Sequence, residues 1–370
     1  MNDSRVYFHW SQPEVASRFP TAVSLHSHTL HSHECLGFIR RATRNVPYLS
    51  AAIRKHDQLY QNLNQGRTLD LTRAWWTPPL GEDQALRVEE GQIRNVLGLN
   101  ALVSLSDHDN MWAGRLLGNA PISVEWTVPF RGTFFHLGIH NVPSSAACDW
   151  MAYMEEFTAR PSESRLSELL EMFNSRAETL VVLNHPVWDE KGIGRAAQGA
   201  FLSEFLAQHT HALHALELNG LRPWHENNET IELGRAVDLP VISGGDRHAR
   251  EPNACLNLTH AATFAEFVEE IRRDGHSEVL FMPQYREPFK LRIIKSMCEV
   301  MREDPHHGKG WTRWSDRVFY LCDDGVARSL SELWATKIPT VVNQFVALSG
   351  LVGMVICRPA LRSSPTAFTK

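Results

Sequence analysis

No CxxC pair occurs in this 370-residue chain, and its six cysteines (Cys35, Cys148, Cys255, Cys298, Cys322 and Cys357) lie far apart. That spacing excludes a compact disulfide scaffold and leads us to expect a reduced, cytoplasmic protein. Positive charge is not in excess either. Thirty-seven Lys and Arg against 42 Asp and Glu leave a net charge of -5, so no overall basic field draws the chain to nucleic acid. Neither GxGxxG nor GxxxxGK[ST] follows any apolar β run, which removes the usual phosphate-cradling loops of nucleotide-binding folds. The opening MNDSRVYFHW has no basic segment leading into an apolar one, so no signal peptide is expected. Long hydrophobic runs are scarce. The most apolar, 341–356, contains Asn343, Gln344, Ser349, Gly350 and Gly353. It falls short of the roughly 20 residues that a membrane span needs. A buried or interface-forming helix is expected there rather than insertion into a membrane.

What the chain has in abundance is histidine, 19 in all. Imidazole is the commonest metal ligand and suits zinc, iron and manganese, so the positions of these residues matter. Short β-rich runs at 22–25, 101–105, 122–128, 134–142, 180–183, 215–218 and 240–243 mostly end in a polar or titratable cluster. Amphipathic helical patterns at 163–173, 201–208, 229–237 and 264–273 fall between several of them. Alternation of strand and helix predicts an α/β fold with a parallel sheet. Reactive groups just after strand ends fit a barrel of the (β/α) type, whose active site lies at the C-terminal face. An open doubly wound sheet shares that logic.

The clusters at the strand ends are chemically alike. His26-Ser27-His28 presents two imidazoles to one side, because alternate residues of an extended segment share a face. His33 follows shortly after, and Ser106-Asp107-His108-Asp109 closes the next run. Glu125 and His136 lie on successive strands, followed by Asn184-His185-Pro186 and Gly244-Gly245-Asp246-Arg247-His248.

Over residues from about 22 to 283 this order resembles the PHP (polymerase and histidinol phosphatase) domain family. HSHT stands where the family has its opening HxH, and SLSDHDN where it has TDHD. Glu125 with His136 matches the third motif, NHP the HP motif, and GGDRH the closing GSDxH. The resemblance implies a distorted (β/α)7 TIM-like barrel over residues 1–283 and two to three divalent ions (Zn, Mn or Fe). By position, a first ion would be held by His26, His28, Glu125 and Asp246. Glu125 would bridge to a second ion completed by His136 and His185, and a third would use His33, His108 and His248. Ions about 3.5–4 Å apart can lower the pKa of a shared water and hold phosphate oxygens. Asp246 is then the candidate catalytic base, with Glu125 next. Gly245 departs from the family serine, and His33 replaces a common aspartate, which favours borderline metals such as zinc.

Two stretches lie outside this pattern. Residues from about 41 to 98, with Trp75-Trp76 and Pro78-Pro79, are expected as an insertion, and 284–370 as a C-terminal helical extension. The family's activities imply a metal-dependent phosphoesterase acting on a small phosphorylated substrate, either a phosphomonoester or a nucleotide. Arg195, Arg222 and Arg247 follow the relevant strands and are candidates to meet phosphate. Three alternatives stand beside this: an exonuclease on single-stranded nucleic acid, a metal-dependent hydrolase of non-phosphate esters or amides, and a regulatory metal-binding module. His31 and His140 are expected beside the ligands rather than among them, and Asp107 and Asp109 as supports for His108. Oligomeric state has no signature in the sequence.

Overall fold

The computed structural model describes residues 3–42, 47–63 and 66–334; the apolar run 341–356 lies outside them. The chain divides into two compact units, one built from residues 1–32 and 80–292, the other from 33–79 and the chain from 293 onward. The stretch expected as a single insertion therefore splits. Residues 80–98 group with the motif-bearing strands, and 33–79 group with the C-terminal segment.

The first unit is mixed α/β and carries two sheets. One has five strands in the order Asp3–Phe8, His276–Phe281, Cys255–Thr259, Thr21–Leu25 and Asn100–Ser104. The other has six, in the order Val241–Gly244, Ala215–Asn219, Leu180–Asn184, Thr133–His140, Val124–Phe130 and Asp107–His108. The strands thus form two sheets and do not close into the distorted (β/α)7 barrel that the resemblance implied. The connections give the reason. Only Arg131 and Gly132 join Phe130 to Thr133, so the chain must fold straight back and pair antiparallel. Arg131 takes a left-handed φ of 52° to make that turn. The strand Thr133–His140 is antiparallel to both neighbours, as is Cys255–Thr259.

The two sheets meet at a short seam. The Leu25 carbonyl accepts from the Gly245 N–H at 2.9 Å, and Ser27 forms a parallel bridge with Arg247. That seam sets the HSH and GGDRH segments side by side, although more than two hundred residues separate them.

Period-two alternation decides what each strand buries. In Val124–Phe130, the even-numbered Val124, Trp126, Val128 and Phe130 enter the apolar core, which leaves Glu125 on the opposite face. Trp126 packs edge-on to Phe157 and Phe173, with ring centroids 5.2 and 5.9 Å away. Each fully buried side chain of this size contributes about 2–3 kcal/mol. The helix Glu163–Asn174 is capped by the Ser162 hydroxyl and buries Leu166, Leu169, Leu170 and Phe173, one stripe at helical spacing.

In the second unit, four short strands pair in the order Ala327–Ser329, Val318–Leu321, Ala74–Trp76 and Glu34–Cys35. The C-terminal segment, expected to be helical, therefore also supplies strands. Val318-Phe319-Tyr320-Leu321 is the β-branched and aromatic composition that suits a pleated surface. Gly325, at φ 77°, turns the chain back on itself. Trp75 stacks on Phe319 across this sheet, with centroids 5.7 Å apart. Among the described residues no helix is long and apolar enough to cross a membrane.

Candidate metal centre

His26 follows directly on the strand Thr21–Leu25 in a left-handed conformation, φ 61°. A β-branched or bulky residue pays for such a backbone, and strain of this kind gathers at functional sites. His185 and Asp246 also have positive φ, 28° and 52°. All three are buried.

Hydrogen bonds fix which nitrogen of each ring is left as a lone pair. His26 Nδ1 lies 2.6 Å from Glu217 Oε2, and because a carboxylate can only accept, the ring donates there. In the neutral ring Nε2 is then the acceptor nitrogen; it lies 3.0 Å from Glu125 Oε2 and 3.1 Å from His28 Nε2. His28 meets the Ser32 hydroxyl through Nδ1 at 3.2 Å, and its Nε2 faces Glu125 Oε2 at 3.3 Å. His248 donates from Nδ1 to the Asp246 carbonyl at 2.8 Å, which places the lone pair of the neutral ring on Nε2.

Glu125 stands at the middle. Its Oε2 faces His26, His28 and the Nδ1 of His108, the last at 3.3 Å. Its Oε1 faces His185 Nε2 at 3.1 Å and His136 Nδ1 at 3.4 Å, and accepts from the Asn184 amide at 3.0 Å. Several groups of donor atoms lie within 4.8 Å of one another: His26, His28 and Asp246; His26, Glu125 and His185; His108, Glu125 and His136; and His28, His108 and His248. Among the described residues, buried Glu125 Oε2 and His136 Nδ1 find no hydrogen-bond partner. Ring nitrogens and carboxylate oxygens converge here in a buried space, a donor set that a cation fits. The nitrogen-rich donors suit zinc, iron or manganese, and the carboxylates also admit harder ions.

Electrostatics agree with the geometry. Burial opposes ionisation of Glu125, but His26, His108 and His136 overturn it and hold the carboxyl well below its usual range. Burial likewise opposes the Asp246 charge, and His248, His28, His26 and His185 hold that carboxyl well below its usual range too. Burial alone would lower His26, yet Glu125 and Glu217 raise it well above the ordinary value.

The supports were only partly visible in the sequence. Glu217 lies on the strand Ala215–Asn219, and the Asn219 amide ties it to Asp246, at 2.6 Å to Glu217 Oε1 and 3.1 Å to Asp246 Oδ2. Gly244 makes room, since a Cβ there would sit 2.2 Å from the Glu217 carboxyl carbon. Gly245 does the same for Asn253, whose amide carbon would lie 1.7 Å from an added Cβ. Asn253 therefore occupies the space that a side chain at position 245 would need, donating to the Ser24 hydroxyl and the Leu25 carbonyl at 2.7 and 2.9 Å. Glu89, on the helix Glu82–Gln92, is fully buried. It accepts from Arg247 at 2.8 Å, from Ser24 and Ser27 at 2.9 and 3.1 Å, and from the Asn253 N–H at 3.1 Å. A helix from the segment set aside as insertion thus braces both ends of the seam.

The remaining candidates are placed as follows. Arg247 is buried against Glu89 and the carbonyls of Ala249 and His28, a structural cation rather than one facing a substrate. Arg222 makes a two-pronged pair with Glu226 at 2.8 and 3.0 Å, and Arg195 pairs with Glu229. His33 belongs to the second unit, where its exposed ring lies on Trp75, with centroids 5.1 Å apart. His31 bonds Glu82 at 2.9 Å. His140 is buried on the Ser104 hydroxyl at 2.8 Å, and burial pushes it down to about 3. Asp107 accepts from the Thr29 N–H and hydroxyl at 2.5 and 2.8 Å, and Asp109 from the Thr127 N–H at 2.7 Å. Both aspartates tie His108 to its neighbouring segments.

No protein-family model and no curated protein matches this chain. Among solved structures it is similar to PsfC from Pseudomonas syringae, with 14% identity and a TM-score of 0.39 over 58% of this chain and 88% of that one. It is also similar to a Bifidobacterium adolescentis protein provisionally named a metal-dependent phosphoesterase, with 15% identity and a TM-score of 0.31 over 52% and 91%. A third is an amidohydrolase from Chromobacterium violaceum with bound sulfate and no metal, with 14% identity and a TM-score of 0.33 over 61% and 87%. Likenesses this distant carry no argument about chemistry; the donor atoms do.

Proposed function

We propose that this protein is a metal-dependent hydrolase of phosphate esters, acting on a small phosphorylated molecule through a centre of two to three divalent ions. One observation carries the reading: the two oxygens of Glu125 face different sets of imidazoles, His26, His28 and His108 on one side and His136 and His185 on the other. A carboxylate so placed can bridge two ions, and the PHP-like order of motifs implies the same residues.

When bound, such ions supply Lewis acidity, an acidified water and charge to meet the phosphate. The chain's own residues do the rest. His26, His28 and Asp246 would hold one ion, and His136 and His185 a second that shares Glu125. His108 and His248 face His28 as donors for a third. Glu217 keeps the His26 Nδ1 proton in place, so Nε2 stays turned inward. Asp246 has Oδ2 held by Asn219 and Oδ1 turned toward His28 and His248, at 3.5 and 3.4 Å. An ionised carboxylate in that position can accept the proton from the attacking water at Oδ1.

The test is a hydrolysis panel on metal-reconstituted protein. Turnover of an aryl phosphate with Mn²⁺ or Zn²⁺ that stops with chelator is expected. A panel in which only nucleic acid is cut, with rates falling steeply as salt rises, would move the assignment to a nuclease. Hydrolysis of carboxylic esters or amides alone would move it off phosphorus.

A further inference from the structure

The ligand pairs His26/His28 and Asp246/His248 each enclose one residue, Ser27 and Arg247, and these two form the parallel bridge at the seam. Both turn to the same carboxylate. Glu89 Oε1 accepts from the Ser27 hydroxyl at 3.1 Å and from Arg247 Nε at 2.8 Å. Its Oε2 accepts from the Ser24 hydroxyl at 2.9 Å and the Asn253 N–H at 3.1 Å. Arg247 directs its other nitrogens at the ligand segments themselves, Nη2 at the His28 carbonyl, 3.0 Å away, and Nη1 at the Ala249 carbonyl, 2.5 Å away.

Glu89 reaches this position on a buried helix stripe, since Ala85, Glu89 and Gln92 share one face of Glu82–Gln92. Burying a carboxylate and a guanidinium is costly, and an apolar pair of similar volume is often as stable. Stability alone therefore does not account for the pair. Directional bonds add register. At the seam the backbone supplies His28 N–H to the Arg247 carbonyl and Gly245 N–H to the Leu25 carbonyl, both 2.9 Å, and a longer bond of 3.4 Å from Arg247 N–H to the His26 carbonyl. His26 and Asp246 hold left-handed backbones there, φ 61° and 52°. Such conformations persist only where the surroundings over-determine them, and Glu89 with Arg247 reaches both segments.

We propose that Glu89 and Arg247 are positioning residues that set the affinity of the ions on the Oε2 side of Glu125, where His26, His28, Asp246 and His248 gather. His136 and His185 face Oε1 and keep their own ion without this support. Neither residue is a ligand; they act through Ser27 and the carbonyls of His28 and Ala249. The inference rests on the metal-centre reading and not on the choice of phosphate as substrate.

The experiment uses the full chain, stripped with chelator and titrated with Co²⁺, whose visible absorption reports ligand geometry and whose affinity is read by chelator competition. Glu89→Gln and Arg247→Lys should each weaken Co²⁺ binding by about 10- to 100-fold, the range usual for groups that orient metal ligands. In a His185→Ala background the Glu89→Gln loss should persist in full. In His28→Ala it should vanish, because the site it serves is already broken. Equal losses in both backgrounds would overturn the proposal, since a general loosening of the fold does not distinguish the two sides. Native affinity and an unchanged Co²⁺ spectrum in Glu89→Gln would overturn it too. If Glu89→Gln fails to fold with Arg247 buried alone, Glu89→Met combined with Arg247→Met carries the test, because no unpaired charge remains. That double variant should melt cooperatively in chelator and keep the lowered affinity; native-like affinity in it would overturn the proposal. Native protein that takes up less than one equivalent of Co²⁺ would remove the metal centre and the proposal together. Background-dependent loss of affinity without turnover of any phosphate ester would support the positioning role while removing the phosphoesterase reading.

Discussion

Glu217 Oε2 lies 2.6 Å from His26 Nδ1, both groups fully inside the protein, and this contact determines which nitrogen of His26 faces Glu125. A carboxylate behind a ligating imidazole fixes its tautomer and raises its basicity.

Glu217→Gln keeps the shape but replaces the acceptor-only group with an amide that can also donate. Metal affinity, read by competition with a chromophoric chelator, should fall about 10- to 100-fold, as outer supports usually do. Far-UV circular dichroism should remain native. Unchanged affinity would show that Glu217 does not orient His26.

Asp246→Asn removes the ionised proton acceptor while keeping the Asn219 contact within reach. Turnover should drop about 10²-fold or more with most of the metal retained. A kcat like that of the native protein would reassign the base, with Glu125 the next candidate.

Gly245 separates this chain from the serine of the family it resembles, and the structure gives a steric reason. Gly245→Ser drives a Cβ into Asn253 and should lower stability by about 1–3 kcal/mol, read as a fall in melting temperature. Pairing it with Asn253→Ala should recover part of that loss. Additive losses in the double variant would contradict the account.

These cases show where the sequence was legible. The clustering of His26, His28, His108, Glu125, His136, His185, Asp246 and His248 could be read because strand ends expose alternate residues to one side, whereas His33, expected with them, falls in the second unit. Asp107 and Asp109 could be read as supports, but the partners of Glu217 and Asn253 could not, because Glu217 is 191 residues from His26 and Asn253 is 228 from Leu25. Such pairings depend on sheet order, which periodicity does not encode. The helices at 163–173 and 229–237 were visible as apolar stripes, and both form, as Glu163–Asn174 and Trp224–Val237. Barrel closure was misjudged because Arg131-Gly132 carries no Asn-Gly or Asp-Gly hairpin signal. The strand pair Val318–Leu321 and Ala327–Ser329 was overlooked because each run is short and flanked by charge.

In the metal-free protein, acid should remove the contribution of His214. Burial pushes His214 down to about 3; its Nδ1 accepts the Val181 N–H at 2.8 Å while Nε2 donates to Asn174 at 2.7 Å. The folded value lies below the ordinary one of about 6.5, so below that pH the unfolded chain takes up a proton that the folded chain refuses. This contribution to stability is complete above about pH 6.5 and is lost progressively as pH falls toward the folded value. In chelator, the His214-dependent part of the melting temperature should therefore shrink between about pH 7 and 5. His214→Asn should melt lower at neutral pH and show a flatter slope; parallel slopes would exclude His214 as a source.

The most direct test of the metal centre is elemental analysis of protein prepared without chelator, alongside Glu125→Ala. The account predicts two to three equivalents of zinc, manganese or iron in the native protein and the loss of at least one in the variant, since both oxygens of Glu125 face ligand sets. Folded native protein with less than one equivalent, or a Glu125→Ala variant with an undiminished count, would contradict it.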